Sequence, residues 1–247
     1  MKRCPSCEGA RHYKLADGRL KCRVCGQRFS WTSVWDSVRL PQPTKHRLLD
    51  LFVLGVPSYR QRFGSATSAV SRERFYRLLR ACCAQVEQLR EPFEGAIECD
   101  ETTFGGARHG PRGWGALGKV IVFGLIKRNG RVKAMPIPRH DRLSVMREIE
   151  AHTREGALYY TDEWQAYATL KLRGEHVMIR KEKGRPVGRD HINGIEGFWS
   201  FAKQMFAKCH GVDPENFSLY LKEYEFRYNH RNEDLTQILF DHLMGPK

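Results

Sequence analysis

Four of the eight cysteines in this chain of 247 residues fall into a pattern that chemistry can use. Two residues lie between Cys4 and Cys7, two between Cys22 and Cys25, and fourteen between the pairs. Two such pairs can surround one zinc ion with four thiolates, leaving no open position for water, so the predicted metal is structural. Gly9 and Gly26 follow the pairs, where the backbone must turn tightly. Between them, Tyr13-Lys14-Leu15 and Arg19-Leu20-Lys21 flank Ala16-Asp17-Gly18 as a predicted hairpin. A unit this small depends on its metal to fold.

A second set of residues suits phosphate chemistry. Asp100 lies in the short strand pattern Ala96 to Glu101, and Asp162 directly follows ALYYT, another strand pattern. Glu196 follows Asp162 with 33 residues between them, and Lys203 follows it across a gap of six. Carboxylates on separate elements can hold magnesium or manganese, which prefers a few such oxygens plus water and substrate phosphate. Each also has an ordinary role open to it. Asp162 could cap a helix starting at Glu163, Glu98 and Glu101 compete with Asp100, and Glu196 with Lys203 could be a solvated helix face. Strand alternation puts Glu98 on the side of Asp100 and Glu101 on the other.

The elements that must position these groups follow from periodicity. Lys119 to Lys127 and Arg131 to Ile137 read as strands joined at Asn129-Gly130, Leu143 to Thr153 as a helix, and His176 to Arg180 as a fifth strand. Three strands, a helix and a strand is the order of a ribonuclease-H-like mixed α/β sheet. Asn193 to Cys209 is a predicted helix with Ile195, Phe198, Trp199, Ala202, Met205 and Phe206 as its apolar stripe. Asn193, Glu196, Ser200 and Lys203 share another face of it. Pro214 to Arg231 is predicted as the last helix, with Arg227 and Arg231 toward DNA.

Before the sheet, Leu48, Leu49, Phe52, Val53 and Val56 mark a helix ended by Gly55 and Pro57. Ser71 is a candidate cap for the next one. That helix carries Phe75, Leu78, Leu79 and Cys82 inward and Arg72, Arg74, Arg77 and Arg80 largely outward, in the manner of a helix-turn-helix recognition helix.

Composition agrees with a polyanion partner. Lys and Arg outnumber Asp and Glu by a formal +14, at an ordinary 41% hydrophobic and 28% charged content. The glycine-rich stretch Gly105 to Gly118, with Arg108, Arg112 and Trp114, and the basic stretch Lys171 to Arg189, with Arg173, Lys181, Lys183 and Arg185, are candidate DNA contacts. No run is long and apolar enough to cross a bilayer, and the N-terminus lacks a signal-peptide core. The expected compartment is the bacterial cytoplasm, at the nucleoid.

Taken together, Asp100, Asp162 and Glu196 with Lys203 resemble the Asp-Asp-Glu signature of transposases and integrases. More narrowly, IECDETTFGG (97–106), YYTDEWQAY (159–167) and HINGIEGFWSFAK (191–203) resemble small bacterial insertion-sequence transposases that open with a zinc ribbon. That family's third position is Asn or Glu, and this chain offers both Asn193 and Glu196. The resemblance implies a zinc ribbon over residues 1–32, a helical DNA-binding segment over 33–94 and a catalytic domain over 95–247. It implies duplex DNA as partner, at element ends and target, and at least a dimer on DNA. It also implies metal-dependent strand cleavage and transfer. Two other readings stay open: a zinc-ribbon DNA-binding protein without catalysis, and a nuclease that cuts without joining.

Overall fold

A computed structural model describes residues 3–30, 32–64, 67–88, 91–105, 119–179 and 191–245. Its first elements are β1 (His12–Lys14), β2 (Leu20–Cys22), β3 (Arg28–Phe29), α1 (Val34–Ser37), α2 (Gln42–Val53) and α3 (Ala69–Gln88). Then come β4 (Ala96–Phe104), β5 (Val120–Lys127), β6 (Val132–Ile137), α4 (Arg142–His152), β7 (Leu158–Thr161) and β8 (Glu175–Met178). The chain closes with α5 (Asn193–Ala207), α6 (Phe217–Asn229) and α7 (Leu235–Leu243). It forms two compact units, residues 1–82 with 234–247 and residues 83–233.

In the first unit, β1, β2 and β3 make a small antiparallel sheet, with Tyr13 opposite Lys21 and Lys14 opposite Leu20. Gly18 turns the hairpin at a φ of 83°. The helices gather around Trp35, whose ring meets Phe75 and Phe240 edge-on and lies beneath the Lys45 ammonium. Lys45 is buried because its Nζ donates to the Trp35 carbonyl at 2.8 Å. The predicted end of α2 is a Schellman motif: the Val56 amide donates to Leu51 and the Gly55 amide to Phe52, with Gly55 at φ 70°.

Two expectations here are corrected. The α3 cap is Ser68, whose Oγ accepts from the Ser71 amide, so the helix begins one turn earlier than expected. Arg72 and Arg80 are buried, while Arg74 and Arg77 are exposed. Arg72 donates to the Ser58 and Thr67 carbonyls and Arg80 pairs with Glu73 at 3.1 Å, so both tie neighbouring chain together.

The second unit is built on a five-stranded mixed sheet in the order β6-β5-β4-β7-β8. β5 runs antiparallel to both neighbours, and β7 runs parallel to β4 and β8, the order expected of a ribonuclease-H-like sheet. One face packs Ile97, Cys99, Phe123, Leu125 and Tyr159 against Val145 and Ile149 of α4. The other packs Val122 and Ile126 against Ile195, Phe198, Trp199 and Ala202 of α5 and Leu221 of α6. β6 is an edge strand, which left bare would invite pairing with another chain. α6 covers it: Asn229 exchanges two hydrogen bonds with the Val132 backbone and Glu225 accepts from the Ala134 amide.

The predicted helix over Pro214 to Arg231 is a short 3-10 helix (Pro214–Asn216) followed by α6, and β3 and α7 were not expected. Arg227 is buried against Glu223 at 2.8 Å instead of facing outward.

Candidate functional site

The four cysteines converge from two loops of the same build. The Glu8 amide donates to the Cys4 carbonyl in the first, and the Gly26 amide to the Cys22 carbonyl in the second. The left-handed residue is Gly26 (φ 73°) in one loop but Glu8 (φ 55°) in the other. Gly9 is therefore required for room and not for its φ: a Cβ there would sit 3.0 Å from Val24 and 3.3 Å from the sulfurs of Cys7 and Cys22.

All four sulfurs lie within 4.8 Å of one another, with Cys4–Cys25 and Cys7–Cys22 at 3.5 Å. Tetrahedral zinc with its usual sulfur bonds would hold them roughly 3.8 Å apart. The Cys22 thiol is drawn down to about 6, first by the Cys25 amide and then by the Val24 amide. Cys7 accepts from the Gly9 amide yet is pushed up to about 12 by the crowding sulfurs of Cys25, Cys22 and Cys4. Thiolates this close repel unless a cation sits among them, and the donor set fits zinc.

The carboxylates come from the second unit. Asp100 lies on β4 with its side chain toward α5, where its Oδ2 accepts from Trp199 Nε1 at 3.0 Å. Directly across on β5 is Gly124. A Cβ there would fall 2.5 Å from the Trp199 ring, so this glycine in the middle of an apolar strand makes the space that lets the indole reach Asp100. It is a site residue that strand reasoning passed over, and the interruption of VIVF-LIK by glycine was its only signal.

Asp162 follows β7. The parallel register pairs Glu98 with Tyr160, and Asp100 and Asp162 each stand two residues further along. Asp162 lies just past the end of β7, and continuing that register by two residues brings it level with Asp100; both are half-buried. Asp162 Oδ1 accepts from the Trp164 amide at 3.0 Å in a local turn, and the helical stretch that follows begins only at Gln165 without a side-chain cap, so Asp162 does not cap a helix at Glu163.

Glu98 and Glu101 take the opposite faces that alternation predicts. Glu98, buried, accepts from the Ile195 amide at 3.0 Å and from Arg128 at 3.1 Å. It thereby caps the first turn of α5 from the sheet and fixes where Asn193 and Glu196 stand. Gly194 leaves room for it, since a Cβ would come within 2.9 Å of Glu98 Oε2. His191 has its Nδ1 3.8 Å from Glu98. Glu101 lies on the α4 side near His140, which stacks on Trp164 at 3.8 Å. Burial pushes Glu101 up to about 8, and the charges of Asp100 and Asp162 add to the rise.

Glu196, Asn193 and Lys203 are exposed on α5. Glu196 is one turn before Trp199, the residue that holds Asp100. Among the described residues, Asp100, Asp162 and Glu196 are not drawn into a set with ligand atoms within 4.8 Å, as the cysteines are. Arg173 is spent internally, donating to the Thr153 carbonyl at 2.6 Å beyond α4. Arg108, Arg112, Trp114, Lys181, Lys183, Arg185 and Arg189 lie outside the described residues. No described helix is long and apolar enough to cross a membrane.

Two comparisons bear on this arrangement. A family model described as the ISXO2-like transposase domain matches residues 92–229, a span that contains Asp100, Asp162, Asn193, Glu196 and Lys203. Over 109 residues, 44% of its length, the chain is 30% identical to an uncharacterized transposase-like protein of Haemophilus influenzae, and the match covers 88% of that protein.

Proposed function

This chain belongs to the ISXO2-like transposase family, and on that premise we propose that it binds insertion-element ends and catalyses strand cleavage and strand transfer. The observation that supports the reading is the parallel pairing of β4 with β7, which carries Asp100 on one strand and delivers Asp162 just past the end of the other, on the side of the catalytic domain whose α5 bears Glu196. Hard oxygen donors on three elements fit magnesium or manganese, with Asp100, Asp162 and Glu196 as the holding residues and Asn193 in support. When bound, such ions activate the attacking oxygen and stabilise the leaving one in an in-line displacement.

The chain's own groups do the rest. Trp199 holds the Asp100 carboxylate in one orientation, and the Trp164 amide does the same for Asp162. Lys203, two turns beyond Glu196 on an exposed face, is placed to grip a phosphate of the DNA strand. The four cysteines hold zinc and shape the ribbon of residues 1–32. The helical segment 33–94 offers Arg74 and Arg77 to duplex DNA, and at least two copies assemble because two element ends must meet.

The test is incubation of labelled duplexes carrying the flanking element ends with the protein and magnesium. Nicking followed by joining to a second duplex, lost in Asp162→Ala with binding retained, is the expected result. Binding without cleavage on cognate ends would contradict catalysis, and cleavage without joining would make the protein a nuclease.

A further inference from the structure

The small sheet of the first unit has two unlike faces. In an antiparallel sheet, directly opposed residues and those two along point the same way. Lys14, Leu20 and Phe29 share one face with His12 and Cys22, and there Cys22 and Phe29 are buried beside the cysteine centre. On the other face Tyr13 stands opposite Lys21, and Lys21 opposite Arg28. The backbone bonds Arg23–Arg11 and Leu15–Arg19 extend that register one pair to each side, adding Arg11 opposite Arg23 and, at the hairpin end, a part-buried Leu15 opposite Arg19. One face thus gathers Arg11, Arg19, Lys21, Arg23 and Arg28 around a half-exposed Tyr13.

Little on the chain offsets this charge. Asp17 is the one acidic residue between Gly9 and Ser30, and Arg19 holds it at 2.7 Å. Like charges directly opposite one another destabilise a sheet, and here there are two such pairs, Arg11 with Arg23 and Lys21 with Arg28. A ribbon that tolerates this with so small a core of its own gains from it elsewhere. The Arg23 guanidinium lies 4.3 Å from the Tyr13 ring centroid, so the ring holds the cation in place and leaves its N–H donors for an acceptor. Residues two apart along a strand and neighbours across strands give these cations a spacing of about 7 by 5 Å, a grid on the scale of successive phosphates.

We propose that this face of the ribbon binds the phosphodiester backbone of duplex DNA without reading its sequence. The proposal rests on the transposase reading for its partner, but on none of the catalytic residues. The experiment uses the full chain loaded with zinc, with one duplex carrying an element end and one of unrelated sequence. Affinity is measured against salt concentration for the wild type, the triple variant K21Q/R23Q/R28Q, Tyr13→Ala, Tyr13→Phe and, from the opposite face, Lys14→Gln. Bound zinc is measured in each to show that the ribbon is folded.

The triple variant should weaken binding to both duplexes alike and lower the slope of log affinity against log salt by about 2 to 3, near 0.9 per lost phosphate contact. Tyr13→Ala should reproduce part of that loss, while Tyr13→Phe and Lys14→Gln should match the wild type. An unchanged slope in a zinc-loaded triple variant overturns the proposal, as does a loss confined to the element-end duplex. Wild type that binds with the steep slope yet never cleaves would leave this proposal standing and remove the catalytic one.

Discussion

In the proposed function the cysteine centre and the carboxylate centre share one task, holding a cation, and they are built for it by opposite means. The four cysteines come from two short loops of one small sheet, and their sulfurs already stand within bonding range of a common ion. The carboxylates come from two strands and a helix, and they are braced one by one, Asp100 by Trp199 and Asp162 by the Trp164 amide. Around the first centre there is little apolar material, chiefly Phe29 and Leu20. Around the second are two full core clusters. On the proposed function, the difference predicts that zinc holds the ribbon together, whereas the second unit folds without a metal and would use one only for chemistry.

The largest expected effect separates the two directly. Cys22→Ser, or a strong chelator, should collapse the ribbon, because structural zinc contributes on the order of 10 kcal/mol to such a fold. Backbone amide spectra should show residues 3–30 losing their dispersion while the sheet of residues 83–233 keeps its own. Equal loss in both would end the contrast.

A pH series probes the carboxylate side. Glu101 is raised from 4.5 to about 8, chiefly by burial. Between those values the folded state keeps a proton that the unfolded state releases, so stability is highest below the lower one and falls as pH rises toward the upper. The slope is about 1.4 kcal/mol per pH unit. Urea unfolding from pH 5 to 9 should show Glu101→Gln losing less stability than the wild type across that window. Parallel curves would remove Glu101 as the cause. Gly124→Ala comes next: the added methyl meets Trp199 and should cost about 1–3 kcal/mol. The Trp199 indole signal should shift as its bond to Asp100 breaks. An unmoved indole would show that the glycine is not what admits it.

What could be read beforehand divides along the same line. The ribbon was legible because its ligands and hairpin turn are matters of spacing within one short stretch. Asp100, Asp162 and the α5 helix were legible as positions, since periodicity marks a strand, its end and an amphipathic helix. Their bracing was not. Nothing local to Gly124 says that Trp199, far along the chain, fills the space above it, and nothing near Glu98 says that it caps α5. Arg72 and Arg227 look like surface cations in a helical wheel, yet partners one or more turns away bury them. α7 went unseen because its apolar face is completed by α1 and α2, from the other end of the chain.

The proposed function requires that Asp100 and Asp162 hold the ions that drive strand cleavage. Asp162→Cys tests it most directly, because a thiolate is a poor ligand for magnesium and a better one for softer ions. Cleavage of element-end duplexes should vanish in magnesium, by about 100-fold or more, and return in part with manganese. The wild type should cleave with either ion. A variant that is fully active in magnesium, or equally dead with both ions while still binding metal and DNA as the wild type does, would contradict the claim.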